Sequence, residues 1–209
     1  MPAAYKRLSA LCSVKTGTPV SRAKRQTKGV PFHAVRVLVP KAIEGGRVVD
    51  QELVEEQVSA VKEDLFTHCG DVILKMSTPY DCAYIDDAHE GLLVTSFGLI
   101  IRPLPDASID MRYLAAFLTL PQTQQLLQSE SKGVTLQLLK KKDILEIPIP
   151  TPSESVQRLL AELFENTQKR KQLYRLAEKK SDQLLFSTFD QMAMRDSQND
   201  SNTIKKEYS

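Results

Sequence analysis

Ser77-Thr78-Pro79-Tyr80 is the stretch of this chain nearest to the tetrapeptides that hold an adenine flipped out of duplex DNA for methylation. It has one proline where Asn-Pro-Pro-Tyr has two, and no Gly-x-Gly turn for a methyl donor occurs anywhere in the sequence. The residues for methyl transfer are therefore missing. Metal-dependent strand cleavage would need clustered carboxylates and a lysine. Asp106 with Glu178 and Lys180 can be forced into that pattern, but a spacing of two on a helix turns Glu178 and Lys180 to different faces. His33, His68 and His89 lack the i,i+4 spacing of helical metal ligands, and Asp86, Asp87 and Glu90 lack the regular ligand spacing of a calcium loop. They read as surface histidines and a solvated acidic turn. Cys12, Cys69 and Cys82 are odd in number and show no C-x-x-C spacing, so reduced thiols are expected rather than a disulfide framework or a zinc site. Neither catalytic residues nor a cofactor is expected.

The remaining chemistry is cationic and hydrogen-bonding. Arg22, Lys24, Arg25 and Lys28 stand in one acid-free loop, and Lys132 and Lys140 flank a second loop at Gly133. Such cations suit the phosphate contacts that give nucleic-acid binding its affinity and salt dependence, whereas base edges are read by other groups. Lys75, Ser77, Thr78 and Tyr80 follow an apolar run and offer donors and one aromatic ring to a groove. A net charge of +2 does not itself identify a nucleic-acid binder. Its distribution says more, because the acidic run at 50–57 opposes the basic loops and makes the surface electrically lopsided.

These loops need a framework. At 209 residues, 42% hydrophobic and 26% charged, the chain can bury one core and carry an appendage. No apolar run approaches the ~18 residues of a membrane span, and the first residues lack the apolar centre of a secretory signal, so a cytoplasmic protein is expected. Alternating or continuous apolar runs predict strands at 31–39, 72–75, 82–86 and 92–103, with a turn at Glu44-Gly45-Gly46-Arg47. Leu114, Phe117, Leu118 and Leu126 recur at helical spacing, with Asp110 as N-cap and Pro121 as a break. Residues 143–150 read as a strand, and Pro148 and Pro150, which lack amide donors, confine it to a sheet edge. Ser153 and Glu154 then open a long helix. Val156, Leu159, Leu160, Leu163, Leu173, Leu176, Leu184 and Leu185 give it a broken apolar stripe that suits a partner helix or a fold-back onto the domain. The polar, aperiodic segment 195–209 is expected to be disordered. The expected fold class is α+β, with a β-rich domain at 1–152 and a helical segment at 153–194.

The order of "VKTGTP", "GDVILKMSTPYDCAYI", "GVTLQLLKKKDILEIPIPTP" and the helix "VQRLLAELFENTQKRKQLYRLAEKKSDQLL" resembles one half of a specificity subunit of type I restriction-modification systems. The resemblance covers most of residues 5–190. It implies a target recognition domain that reads double-stranded DNA, followed by a spacer helix that packs antiparallel against a second one. It also implies a non-catalytic role beside DNA adenine methyltransferase subunits and a restriction subunit, which would do the chemistry. A complete member carries two recognition domains and two helices, so this chain resembles a half-subunit that would pair as a homodimer and read a symmetric, bipartite site. Loops around 75–80, 95–97 and 132–137 are the implied base readers, which adds Thr95, Ser96 and Thr135 to the candidate residues. A reading from another class is a protein-interaction adaptor that keeps the helix for assembly and whose basic loops are merely solvated.

Overall fold

The computed structural model describes the backbone of residues 4–26, 28–130 and 138–207, and the side chains of 4–26, 28–128 and 138–192. In chain order, β1 (Ala4–Arg7), β2 (Cys12–Thr16) and the one-turn helix α1 (Val20–Ala23) come first, then β3 (His33–Leu38). β4 (Ile43–Glu44) and β5 (Arg47–Val48) form a hairpin, followed by β6 (Val54–Val58), β7 (Val72–Lys75), β8 (Cys82–Tyr84), β9 (Leu93–Val94) and β10 (Gly98–Pro103). Helices α2 (Met111–Thr119), α3 (Pro121–Glu130) and α4 (Lys141–Leu145) precede β11 (Pro148–Thr151) and the long helix α5 (Glu154–Glu207). The architecture is mixed α+β, as expected.

The centre is a four-stranded antiparallel sheet in the order β2-β10-β7-β8. Because side chains alternate faces along a strand, Val72, Leu74, Leu99 and Ile101 enter one apolar cluster with Leu114 and Leu118 of α2, while Ile73 and Ile100 enter another with Leu38, Ile43 and Val94. A sheet covered on both faces explains why "VIL" and "LII" are continuous apolar runs rather than alternating ones. A second sheet, β6-β3-β9, carries β3 antiparallel to β6 and parallel to β9. The turn expected at 44–47 is the β4–β5 hairpin, with positive φ at Gly45 and Gly46 as its two-residue loop requires.

An ion pair fastens β10 to the turn that precedes β7. Arg102 donates from Nε to Oδ1 and from an Nη to Oδ2 of Asp71, at 2.8 and 2.7 Å, and the Asp71 carboxylate also accepts the His68 amide at 2.8 Å. Asp71 is buried. The bidentate bond raises the Arg102 pKa further above its already basic value.

Asp110 caps α2 as expected, accepting the amides of Arg112 and Tyr113 at 2.9 and 3.4 Å, and Pro121 begins a new helix. Three expectations are corrected. The apolar run 92–103 is two strands, because the backbone turns at 95–97, where the Gly98 amide closes on the Thr95 carbonyl at 3.0 Å. Residues 141–145 are helical rather than extended: the Lys140 carbonyl accepts the amides of Asp143 and Ile144 at 3.0 and 3.3 Å, and strand pairing begins only at Pro148. Helix α5 continues through 195–207, read above as disordered; that stretch is polar but holds no glycine or proline to stop it.

The prolines of β11 do lie at an edge: this strand pairs with β1 alone, Pro150 opposite Tyr5 and Pro148 opposite Arg7. The chain divides into two units, Met1–Glu165 and Asn166–Ser209, so the start of α5 belongs with the domain rather than beginning a new unit at 153. Gln157, buried, donates to the Pro152 carbonyl and accepts the Asp110 amide, both at 2.9 Å. Ala161 is also buried, and Phe164 packs where a side chain on Gly46 would stand, 2.5 Å from that missing Cβ. Among the described residues no helix is long and apolar enough to cross a membrane.

Candidate nucleic-acid interface

Backbone hydrogen bonds gather the candidate loops at one end of the central sheet. The Met76 amide donates to the Phe97 carbonyl at 2.9 Å, and the Leu139 amide to the Met76 carbonyl at 2.7 Å. These two bonds join the 75–80 loop to the 95–97 turn and to the chain leading into α4. On the other side, the amides of Gly17 and Thr18 donate to the carbonyls of Gly98 and Val94, each at 3.0 Å. That contact brings in the segment before α1. A Cβ at Gly17 would stand 2.2 Å from the Thr95 carbonyl oxygen, so only glycine lets the two backbones approach this closely.

The resulting face presents Thr78 exposed and Lys75, Ser77 and Ser96 half-buried. Lys140, Lys141 and Lys142 are exposed at the start of α4. Arg22, Lys24, Arg25 and Lys28 are exposed at and after α1. Among the described residues, Lys24 is the one member of this set paired with an acid, Glu56 at 2.6 Å. That pair is solvent-exposed and of little energetic worth, but it takes up part of the Lys24 charge.

Two of the candidates do not face outward. Tyr80 has no exposed surface and sits in the cluster with Leu74, Leu118, Leu127 and Leu139, where its ring fills the space between the sheet and the helices. Thr95 is 7% exposed and serves as the turn's backbone acceptor, pressed beneath Gly17. Lys132 and Thr135 lie outside the described residues. In exchange, the turn shows a residue that the sequence analysis passed over: Phe97 is half exposed at its tip, with its carbonyl fixed by Met76. The resemblance placed 95–97 in a base-reading loop but supplied Thr95 and Ser96 as candidates, and the turn-forming Thr-Ser ahead of Phe97 was the signal that the ring could face outward.

No family model matches the sequence, and neither does any curated protein. Among solved structures, a chain of a type I R-M system assembly superposes with a TM-score of 0.58 at 16% identity, over 87% of this chain and 46% of that one. The HsdS subunit from Thermoanaerobacter tengcongensis superposes with a TM-score of 0.51 at 18% identity, over 80% of this chain and 37% of its own. The fold is that of a type I restriction-modification S subunit. This chain spans less than half the length of those S-subunit structures.

The S-subunit likeness takes in α5 as well as the sheets. Val156, Leu159, Leu160, Leu163, Leu173, Leu176, Leu184 and Leu185 keep between 40 and 68% of their surface exposed. From Lys169 to Met192 every side chain is exposed. Isolated helices draw most of their stability in proteins from packing an apolar face, and the second unit offers α5 nothing of its own to pack on. The thiols divide by burial. Burial pushes the Cys12 and Cys82 pKa values up to about 12, and the exposed Cys69 is raised chiefly by its hydrogen bond to Asp87.

Proposed function

We propose that this chain is a non-catalytic DNA-recognition subunit of a type I restriction-modification system. In this reading, the loop face built from Lys75–Thr78, Ser96–Phe97 and the segment entering α4 meets the bases, and Arg22, Arg25, Lys28 and Lys140 meet the phosphates. The single observation that carries it is the hydrogen-bonded assembly of those loops at one end of the sheet, Met76 to Phe97 and Leu139 to Met76, flanked by cations without acidic partners among the described residues. The S-subunit fold supports the same reading.

A second copy would supply the second reader, the two α5 helices packing antiparallel through Leu159, Leu163, Leu173 and Leu184. A twofold pair of readers demands a symmetric, bipartite site. Methylation of adenine, and cleavage where a restriction subunit is present, would be carried out by methyltransferase and restriction subunits docked on this frame.

The test is duplex binding by fluorescence anisotropy across a salt series, with methyltransferase subunits present. Arg25→Glu should weaken all sequences alike, because a phosphate contact carries no sequence information. Phe97→Ala should weaken the cognate duplex and leave the salt dependence unchanged, because an apolar contact releases no counterions. Absence of duplex binding under these conditions would favour the adaptor reading.

A further inference from the structure

The "KTGTP" segment is part of the sequence resemblance, yet no step of base reading uses it. It lines a cleft of about 360 Å³ together with α1 and the strand-end loop at 60–65. Three cations from three separate stretches border this cleft: Lys15, Arg22 and Lys62. Asp64 is the acid beside it, and its carboxylate bonds to the Lys15 ammonium, which holds the Asp64 pKa below the usual carboxylate range. Arg22 and Lys62 have no such partner among the described residues. Thr18 lines the same cleft, is 6% exposed, and its side chain makes no hydrogen bond to the described residues. No buried side-chain oxygen or nitrogen among the described residues lacks a partner, so this unpaired hydroxyl is reached by solvent from the cleft and is open to a ligand oxygen. Val61 and Leu65 supply an apolar wall.

We infer that this cleft seats one phosphodiester of the DNA backbone, with Arg22 and Lys62 neutralising the phosphate, the Thr18 hydroxyl donating to one of its oxygens, and Val61 and Leu65 lying against the adjoining sugar. The inference rests on the DNA-recognition reading above. Several features select a diester over a small free anion. The volume exceeds what an isolated phosphate needs, and the apolar wall suits deoxyribose carbons rather than a second charge. The cleft also adjoins the Phe97 turn through the Gly17–Gly98 and Thr18–Val94 bonds. A strand anchored there would run directly onto the base-reading loops. The glycine at position 17 has a second consequence in this arrangement: it draws the anchor against Thr95, so anchor and reader move as one body.

The experiment is a salt titration of duplex binding by the full chain, from about 50 to about 200 mM, comparing wild type with Arg22→Ala, Lys62→Ala, the double variant and Thr18→Val. Lys41→Ala, whose lysine pairs with Glu52 outside this cleft, is the control and should match wild type. Two cations on one phosphate predict that the double variant loses about 0.9 from the slope of log K against log salt, the value for a single phosphate, and not about 1.8. Thr18→Val keeps the side-chain shape and should weaken binding about 10- to 150-fold with the slope unchanged, as loss of one hydrogen bond to a charged group does. Arg22 and Lys62 are exposed, so their removal leaves the fold intact.

A slope loss of about 1.8 would overturn the inference, because the two cations would then serve separate phosphates. Unchanged slopes with intact duplex binding would overturn the cleft assignment and leave the proposed function standing. Unchanged slopes combined with shifts of the Gly17 and Thr18 amides on adding inorganic phosphate would assign the cleft to a free anion instead, and so overturn the DNA assignment. Failure of the wild-type chain to bind duplex at the lowest salt, while a complex with methyltransferase subunits does bind, would overturn the cleft as an anchor in its own right. Failure of both would remove the DNA-recognition reading.

Discussion

Changing Leu159, Leu173 and Leu184 together to Glu should dissociate a dimer into monomers without unfolding the recognition domain. The three leucines are spaced by 14 and 11 residues, close to four and three turns of α-helix, and so share one face. They retain 63, 65 and 68% of their surface exposed. Complete burial of a leucine is worth ~1.5–3 kcal/mol, so the outstanding two-thirds amounts to ~1–2 kcal/mol for each side chain. Two helices bring six such side chains and ~6–12 kcal/mol, against an association cost of at least ~4 kcal/mol. The balance, ~2–8 kcal/mol, corresponds to a dissociation constant between tens of millimolar and about one micromolar from these positions alone, and the remaining apolar residues of the stripe tighten it. Glutamate removes the apolar gain and sets carboxylates against the partner, while its helix propensity, near that of leucine, keeps α5 formed. Light scattering at ~100 μM, where a dimer toward the micromolar end of that range populates, should give about 47 kDa for wild type, twice the chain mass of 23.5 kDa, and the chain mass for the variant. A wild-type monomer at that concentration, or a variant that stays dimeric, would refute the assignment of this stripe to a second copy and with it the symmetric site.

Other substitutions probe the frame. Tyr80→Ala, which empties a fully buried aromatic site, should cost ~3–5 kcal/mol in urea unfolding, whereas a residue serving only DNA would leave the midpoint unmoved. Arg102→Leu should cost ~3–5 kcal/mol by stranding the buried Asp71 carboxylate, and adding Asp71→Asn should restore a large part of it; a double variant no more stable than the single would place the cost elsewhere. For the thiols of Cys12 and Cys82, the folded pKa of about 12 lies above the ordinary thiol value of 9.0. The stability they contribute is whole below the unfolded value and is lost as pH climbs from there through the folded one, at up to ~1.4 kcal/mol per thiol per pH unit. Cys82→Ala should therefore flatten the alkaline limb of the stability curve, and an unaltered limb would contradict the burial argument.

The elements with strong local chemistry were legible from residues alone. Asp110 before an apolar-periodic run, Pro121 inside it, and the double glycine at 45–46 each act through the backbone within a few residues, and the structure has the cap, the break and the hairpin at those positions. What the sequence hid is set by distant partners. Thr95 to Gly98 became a turn because Gly17, some 80 residues earlier, presses against it. Tyr80 was offered to a groove on the strength of polar neighbours at Ser77 and Thr78, but α2, α3 and the Leu139 segment close over it. The 75–80 loop was a candidate for its donors and ring and the 95–97 loop by resemblance, and their physical connection through Met76 has no sequence signature, since any residue but proline donates a backbone amide.

The pairing of β1 with β11 also bears on how such a domain can be inherited. The domain's first and last strands lie side by side, Ala4 opposite Thr151, and Thr151 bonds the Ala4 carbonyl through its hydroxyl at 2.8 Å. Everything between them forms its own apolar clusters, and α5 begins only three residues after β11 ends. A unit whose two ends meet can be cut out and replaced by another of the same kind without displacing what flanks it. Recombination with crossover points near residues 4 and 151 would thus exchange the loops proposed above to read DNA while keeping the helix that follows. If the proposed function holds, one such genetic event replaces the whole set of candidate contacts at once instead of through successive point substitutions.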